Sequence, residues 1–243
     1  MKHGCPRVSA AHLAAGLLLG TWIFATDAQA AQPTSSASTL TWDEAFPVAR
    51  AAGDVHVDAH FQGSDGLPHR LQVWRHGTAF LHRRTDETLD LYVHRSDTGA
   101  DYAYRLLDHR RHIVMDVRRN QLYRIGVFSD WFGLAHLIDR PKTAFSVRAL
   151  SVPPHERRPD CIWRLLVRGT KTAPDESHVC WSSTWGIPLA LRTKDAKGEW
   201  IDLLRVDRIE AIPPSTESTT MPASPDGYAT FDASNEIDPK EGD

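Results

Sequence analysis

The chain has 243 residues and a formal charge of −3, from 28 basic and 31 acidic side chains. That balance gives nucleic acid no electrostatic footing, and the length suits one domain with a sizeable core. Cysteine is scarce, at three residues, which excludes a disulfide-dense scaffold.

At the amino terminus Lys2 and Arg7 form a positive segment, Ala10 to Ala25 is apolar, and Ala28–Gln29–Ala30 has a small–x–small pattern. This is the layout of a secretory signal peptide over residues 1–30, cleaved after Ala30, and it predicts a periplasmic protein. The apolar run is short and no stop-transfer segment follows it. Cys5 precedes that run, so it is no lipid-attachment cysteine. Cleavage leaves Cys161 and Cys180, a pair expected to form one disulfide in an oxidising compartment. Their spacing fits no zinc knuckle.

Residues 31–40 form a small polar linker, and Thr41–Ala52 has the pattern of a short helix. Thr41 is its N-cap, Asp43 and Glu44 lie in the first turn, Pro47 shortens it and Gly53 ends it. Strand signals then follow one another. Val55–Gln62 alternates strictly, with Val55, Val57, Ala59 and Phe61 opposite His56, Asp58, His60 and Gln62. "HRLQVWRH", "TAFLHRR", "TLDLYVHR", "YAYRLLD" and "HIVMDVRR" continue the alternation across turns such as "GSDG" and "SDTGAD". That run is an antiparallel meander.

"SDWFGLAHLID" (Ser129–Asp139) interrupts it. Trp131, Leu134, Ala135 and Ile138 share one helical face, while Phe132 and Leu137 lie off it. A helix apolar on most sides must be buried on most sides. Ser129 is the expected N-cap and Pro141 the stop, while Gly133 costs about 1 kcal/mol relative to Ala. The helix either plugs the mouth of a curved sheet or covers a cavity as a lid, with "RIGVF" before it as a hinge.

Strands resume with "TAFSVRAL", "CIWRLLV", "SHVCWS", "IPLALRT" and the long "EWIDLLRVDRIEAI", which is of a length to bend or bulge. If Cys161 and Cys180 face each other across one hairpin, its turn centres between Thr170 and Lys171. Residues 213–243 are Pro/Ser/Thr-rich and acidic, with seven acids against Lys240 alone, and are expected to be a disordered tail. "YATFDAS" within it could add a short edge contact. The fold class is therefore mainly β (α+β). A strongly curved antiparallel sheet or half-open β-barrel of about ten strands spans residues 41–212, with the apolar helix and a short N-terminal helix.

The chemistry-bearing residues select no catalytic site: there is no GxSxG elbow and no paired carboxylate spacing. His56 and His60 share a strand face but stand about 13 Å apart, at about 3.3 Å per residue. His109 and His112 flank Arg110 and Arg111, which oppose a cation. No metal and no cofactor are expected. Asp116, Asp130 and Asp139 lie near the helix. The doublets Arg83–Arg84, Arg110–Arg111, Arg118–Arg119 and Arg157–Arg158 could ring the sheet mouth and meet anionic headgroups or an acidic partner; solvated turn charges explain them equally well. Size and parity select Trp74, Phe80, Leu91, Tyr104, Trp131, Phe132 and Leu137 as the lining of an apolar cavity under the helix.

The order of signal peptide, short helix, a strand ending "AHFQG", and a long meander interrupted by an apolar helix resembles the periplasmic lipoprotein carriers of the LolA/LolB type. It also resembles the amino-terminal domain of the RseB envelope-stress regulator. The resemblance spans roughly residues 41–212 as an order of elements. It implies a half-open β-barrel lined by apolar side chains and closed by helices, a shape in which the carriers hold acyl chains. Two functions stay open at this point. One is a non-enzymatic periplasmic protein that binds a lipid, acyl chain or other hydrophobic small molecule, with peripheral membrane contact. The other is an envelope regulatory module with a filled core, acting through a protein partner.

Overall fold

The computed structural model describes residues 38–48, 53–96, 101–118, 130–151, 160–170, 173–213 and 219–232. The expected signal peptide, the "RIGVF" segment and Ser129 lie outside the described residues. The elements run β1 (Thr39–Leu40), α1 (Trp42–Ala45), β2 (Val55–Gln62), β3 (Pro68–His76), β4 (Phe80–Thr85), β5 (Leu89–Arg95), β6 (Tyr102–Asp108) and β7 (Ile113–Arg118). Then come α2 (Trp131–His136), β8 (Phe145–Ala149), β9 (Ile162–Thr170), β10 (Ala173–Ser182), β11 (Ile187–Lys194), β12 (Trp200–Ala211) and β13 (Ala229–Asp232).

All thirteen strands of the described residues form one curved, open sheet in the order β1-β8-β9-β10-β11-β12-β2-β3-β4-β5-β6-β7-β13. Every described pairing is antiparallel except β13 on β7. The expected ten strands become thirteen partly through the short edge strands β1 and β13. The second meander closes on the first through β12 beside β2, where Leu204 faces Phe61 and Val206 faces Ala59.

Alternation within each strand sorts residues onto two faces, and register joins them into rows. Val55, Arg75, Leu81, Val93, Tyr104 and Val117 are successive partners across β2–β7, and all are buried. This is the concave face. The next row, His56, Trp74, His82, Tyr92, Arg105 and Asp116, is convex. A second apolar cluster, with Trp42, Phe46, Val147, Leu166, Val179 and Trp181, lies over the β8–β10 half. Burying each such large side chain contributes roughly 1.5–3 kcal/mol as an upper estimate.

The topology answers why a β-protein carries an all-round apolar helix. β7 lies near one end of the sheet and β8 near the other, so the chain between them must return across it. α2 sits in that return, on the concave side. Leu134 joins the β2–β7 cluster, while Ile138 and Phe132 join the β8–β10 cluster. It touches both halves and so leaves little of its circumference to water.

Local expectations are corrected at several ends. α2 is six residues long, its N-cap is Asp130, and Leu137 at φ 57° ends it in the left-handed region before Pro141 is reached. Asp130 Oδ1 accepts from the Gly133 amide at 2.8 Å, a cap that a neighbouring serine would only duplicate. The expected Thr41–Ala52 helix is one turn, closed by a reciprocal Thr41–Glu44 capping box and ended at Phe46 before Pro47. The β9–β10 register is displaced by one residue from that expected, because Thr170 pairs with Ala173. Cys180 therefore faces Trp163, and the Cys161–Cys180 disulfide, with Cα atoms 5.4 Å apart, runs diagonally past the strand end. Residues 219–232 of the expected disordered tail are placed on the sheet, since β13 finds a free edge on β7, as the short edge contact of "YATFDAS" anticipates.

Candidate functional site

Beside the C-terminal end of α2 the concave face opens into a cleft of about 550 Å³, within the size range of small-molecule sites, roughly 300–1,000 Å³. Its floor is Phe61, Leu71, Leu191 and Leu204, and its wall is Leu137 and Ile138. The floor follows from register: Phe61 partners Leu204, Leu204 partners Leu191, and Leu71 partners Ala59 beside Phe61 on β2. A register shift at Leu191/Arg192 inserts the extra residue Leu203 into the lining.

The rim is charged, with Arg83, Arg140, Lys142, Arg168 and Asp139. Arg168 is compensated by Asp175 at 3.2 Å and by the Ser177 hydroxyl at 3.3 Å. Arg83 makes no hydrogen bond or ion pair among the described residues; burial pushes its pKa down, and the field of Asp139 works against that. Arg140 has its guanidinium 5.9 Å from the Phe145 ring centre. Asp139 reaches solvent, yet desolvation, then Asp130, push its carboxyl up while Arg83 pulls it down.

Directly under α2 the space is filled. Leu134 and Ala135 are buried, and Arg75 on β3 is 2% exposed. Arg75 Nη1 donates to the Ala135 carbonyl at 3.0 Å and Nη2 to the Trp185 carbonyl at 2.7 Å. The guanidinium thus satisfies the Ala135 carbonyl that the short helix leaves open, together with a carbonyl of the β10–β11 connection. His136 Nδ1 lies 2.6 Å from the Gly186 carbonyl and 3.2 Å from Arg75 Nη1. The carbonyl can only accept, so the shorter contact puts the proton on Nδ1 and leaves Arg75 beside it as a charge, not a donor. Burial, with Arg75 adding to it against the Gly186 bond, holds His136 down at about 4. α2 is a plug at this end, and the vacancy lies beside it, not beneath it.

The seven residues selected as lining are scattered by this geometry. Leu137 lines the cleft. Trp131 and Leu91 pack half-buried against the β2–β7 cluster, Tyr104 belongs to it, and Phe132 packs against the β8–β10 cluster. Trp74 lies on the convex face, stacked between His56 and His82 at 4.7 and 4.6 Å. Phe80 shares its parity and is buried near His76 and Tyr92. Alternation alone does not say which face is concave, so parity puts an even-numbered aromatic on the wrong side. The Arg83–Arg84 doublet splits for the same reason: Arg83 lines the cleft while Arg84 pairs with Asp90 on the convex face. Arg119, Arg157 and Arg158 lie outside the described residues.

A convex network was not legible in the sequence. Asp90, with its side chain 2% exposed, accepts from His82 Nε2 at 2.9 Å, Arg84 Nε at 2.8 Å and His109 Nε2 at 2.8 Å. Burial alone would raise its pKa; those donors outweigh it and hold the carboxyl well below the usual carboxylate range. His109 Nδ1 continues to the Tyr228 hydroxyl at 2.7 Å, and Arg105 Nη1 to the Pro222 carbonyl at 2.5 Å. These bonds seat the 219–232 segment across the convex face. Of the remaining singled-out groups, His56 meets Glu210, His60 meets Asp207, Asp116 pairs with Arg105, and Asp130 caps α2.

No protein-family model matches the chain, and no curated protein matches it. Among solved structures, an uncharacterized conserved protein from Thermus thermophilus is similar at a TM-score of 0.41 and 9% identity, over 75% of this chain and 92% of that one. MucB is similar at 0.34 and 12%, over 71% of this chain. This chain spans 58% of that MucB chain. The likeness is distant and concerns architecture alone.

Proposed function

We propose that this chain is an exported, non-enzymatic binding protein that holds a lipid acyl chain or another hydrophobic molecule in the cleft beside α2. One observation carries the reading: a concave floor of Phe61, Leu71, Leu191 and Leu204 borders a volume of about 550 Å³ that the side chains of the described residues leave unfilled. Apolar floors with a few polar groups at the mouth are the usual makeup of small-molecule sites. The disulfide fits an oxidising compartment. Among the described residues no helix is long and apolar enough to cross a membrane.

A second reading draws on the plug. The filled space around Leu134, Ala135 and Arg75 is what a regulatory module acting through an envelope protein would have. Organic extraction of the purified exported protein followed by mass spectrometry, with titration of a fluorescent fatty acid, separates the two. Co-purified lipid, and probe binding that Phe61→Asp abolishes in a protein that still unfolds cooperatively, are expected. A clean extract together with no saturable probe binding would sink the binding-protein reading and leave the module.

A further inference from the structure

We propose that the cleft selects a single-chain anionic amphiphile, whose carboxylate or phosphate head is held by Arg83 and Arg140 while its chain lies over Phe61, Leu71 and Leu204. This rests on the cleft being a ligand site and adds the chemistry of the head. The argument begins with Arg83. It stands on the concave face of β4, where its strand partners are Val73 and Leu91. Its guanidinium is part-buried and its nitrogens stay accessible from the cleft, so its donor fork is open to a ligand there.

Several other arginines of the sheet engage their donors within the chain, while Arg164 has one long bond to the Trp163 carbonyl and a buried Nε without a partner among the described residues. Arg75 uses two backbone carbonyls, Arg84 takes Asp90 with two nitrogens, and Arg105 takes Asp116 in the same way. Arg168 has Asp175 and Arg192 has Asp202. Arg83 has no hydrogen bond or ion pair among the described residues, and its surroundings weaken its hold on its proton. An anion in the cleft would supply what the chain does not.

The rim carries the same imbalance. Four cationic side chains and one carboxylate, Asp139, line the cleft. Arg168 is paired with Asp175 and Lys142 is engaged as well, which leaves Arg83 and Arg140 for a ligand. Asp139 marks where negative charge is felt, since its field acts on Arg83. It is a weak resident, because desolvation and Asp130 both disfavour its charged form. A planar fork of donors suits carboxylate and phosphate oxygens alike. The adjoining leucines and Phe61 exclude a free inorganic anion as the best fit and require an apolar chain on the same molecule.

The test measures binding of palmitic acid, hexadecyl phosphate and hexadecanol to the mature protein by displacement of a fluorescent fatty acid. At low salt both anions should bind at least about tenfold tighter than the alcohol, the difference one charge-assisted bond supplies. Arg83→Met should remove that difference and leave hexadecanol unchanged, and Arg140→Gln, at an exposed position, should reduce it if Arg83→Met fails to fold. Asp139→Asn should strengthen the anions only. A preference for the phosphate assigns the head to phospholipid-like molecules, a preference for the acid to free fatty acids, and either supports the proposal. Equal binding of alcohol and anions, or a difference that survives both arginine variants, overturns it while the cleft reading stands. Failure of all three probes overturns both.

Discussion

A Cβ placed on Gly133 would lie 1.7 Å from Oδ1 of Asp139. The left-handed Leu137 turns the chain back on α2, so that the carboxylate of Asp139 rests where residue 133 would carry a side chain. Gly133 costs helix propensity but makes room for the only carboxylate of the cleft lining. Gly133→Ala must therefore push the exposed carboxylate of Asp139 aside and should forfeit most of the roughly 1 kcal/mol that alanine gains in helix propensity. In an Asp139→Ala background the same change should become stabilising by up to about 1 kcal/mol, because only the propensity gain remains. A double-mutant cycle in urea reads the coupling, and additive effects would refute this account.

His136 makes stability pH-dependent in a defined window. Its folded pKa is about 4, against about 6.5 for an unfolded histidine. Between those values the unfolded chain binds the extra proton, so the contribution is fully present above about pH 6.5 and is lost as pH falls toward 4. The loss is on the order of 3 kcal/mol. His136→Asn keeps a donor for the Gly186 carbonyl without titrating, and should flatten the stability profile over that window. An unchanged slope would assign it to other groups.

Asp90 contributes in a lower window. Its depressed folded pKa means that its stabilisation is present above the ordinary carboxylate value, about 3.9, and disappears as acid protonates it. At neutral pH Asp90→Asn removes the charge and turns one acceptor oxygen into a donor that opposes His109 or the His82–Arg84 pair, and should cost about 3 kcal/mol, discounted for the partly exposed Arg84. The 219–232 segment should loosen with it, read as faster chymotryptic cleavage near Tyr228. Tyr228→Phe, which removes one bond to His109, should cost only about 1 kcal/mol and accelerate the same cleavage.

Reducing the Cys161–Cys180 bond should lower stability by about 3 kcal/mol, from the loop of sequence separation 19 that it closes. The cleft is lined by neither cysteine. Fatty-acid binding of the reduced protein, measured well below its unfolding midpoint, should therefore match that of the oxidised form. A loss of binding at full folding would mean that the bridge shapes the site.

Alternation every second residue along Val55–Gln62 and its successors was enough to mark the strands, because a strand's side chains take opposite sides whatever it pairs with. The apolar character of Trp131–Ile138 likewise demanded burial on nearly every side, and the cysteine pair beyond the expected signal peptide pointed to one bridge. The tertiary structure alone decided which face curves inward, and with it the separation of Arg83 from Arg84 and the outward stacking of Trp74. It also decided that β12 closes on β2, that α2 plugs one end of the hollow and leaves the other open, and that Asp139 folds back over Gly133. Those outcomes depend on contacts between residues far apart in the chain, such as Phe61 with Leu204 or Arg75 with Ala135, and local periodicity carries no information about them.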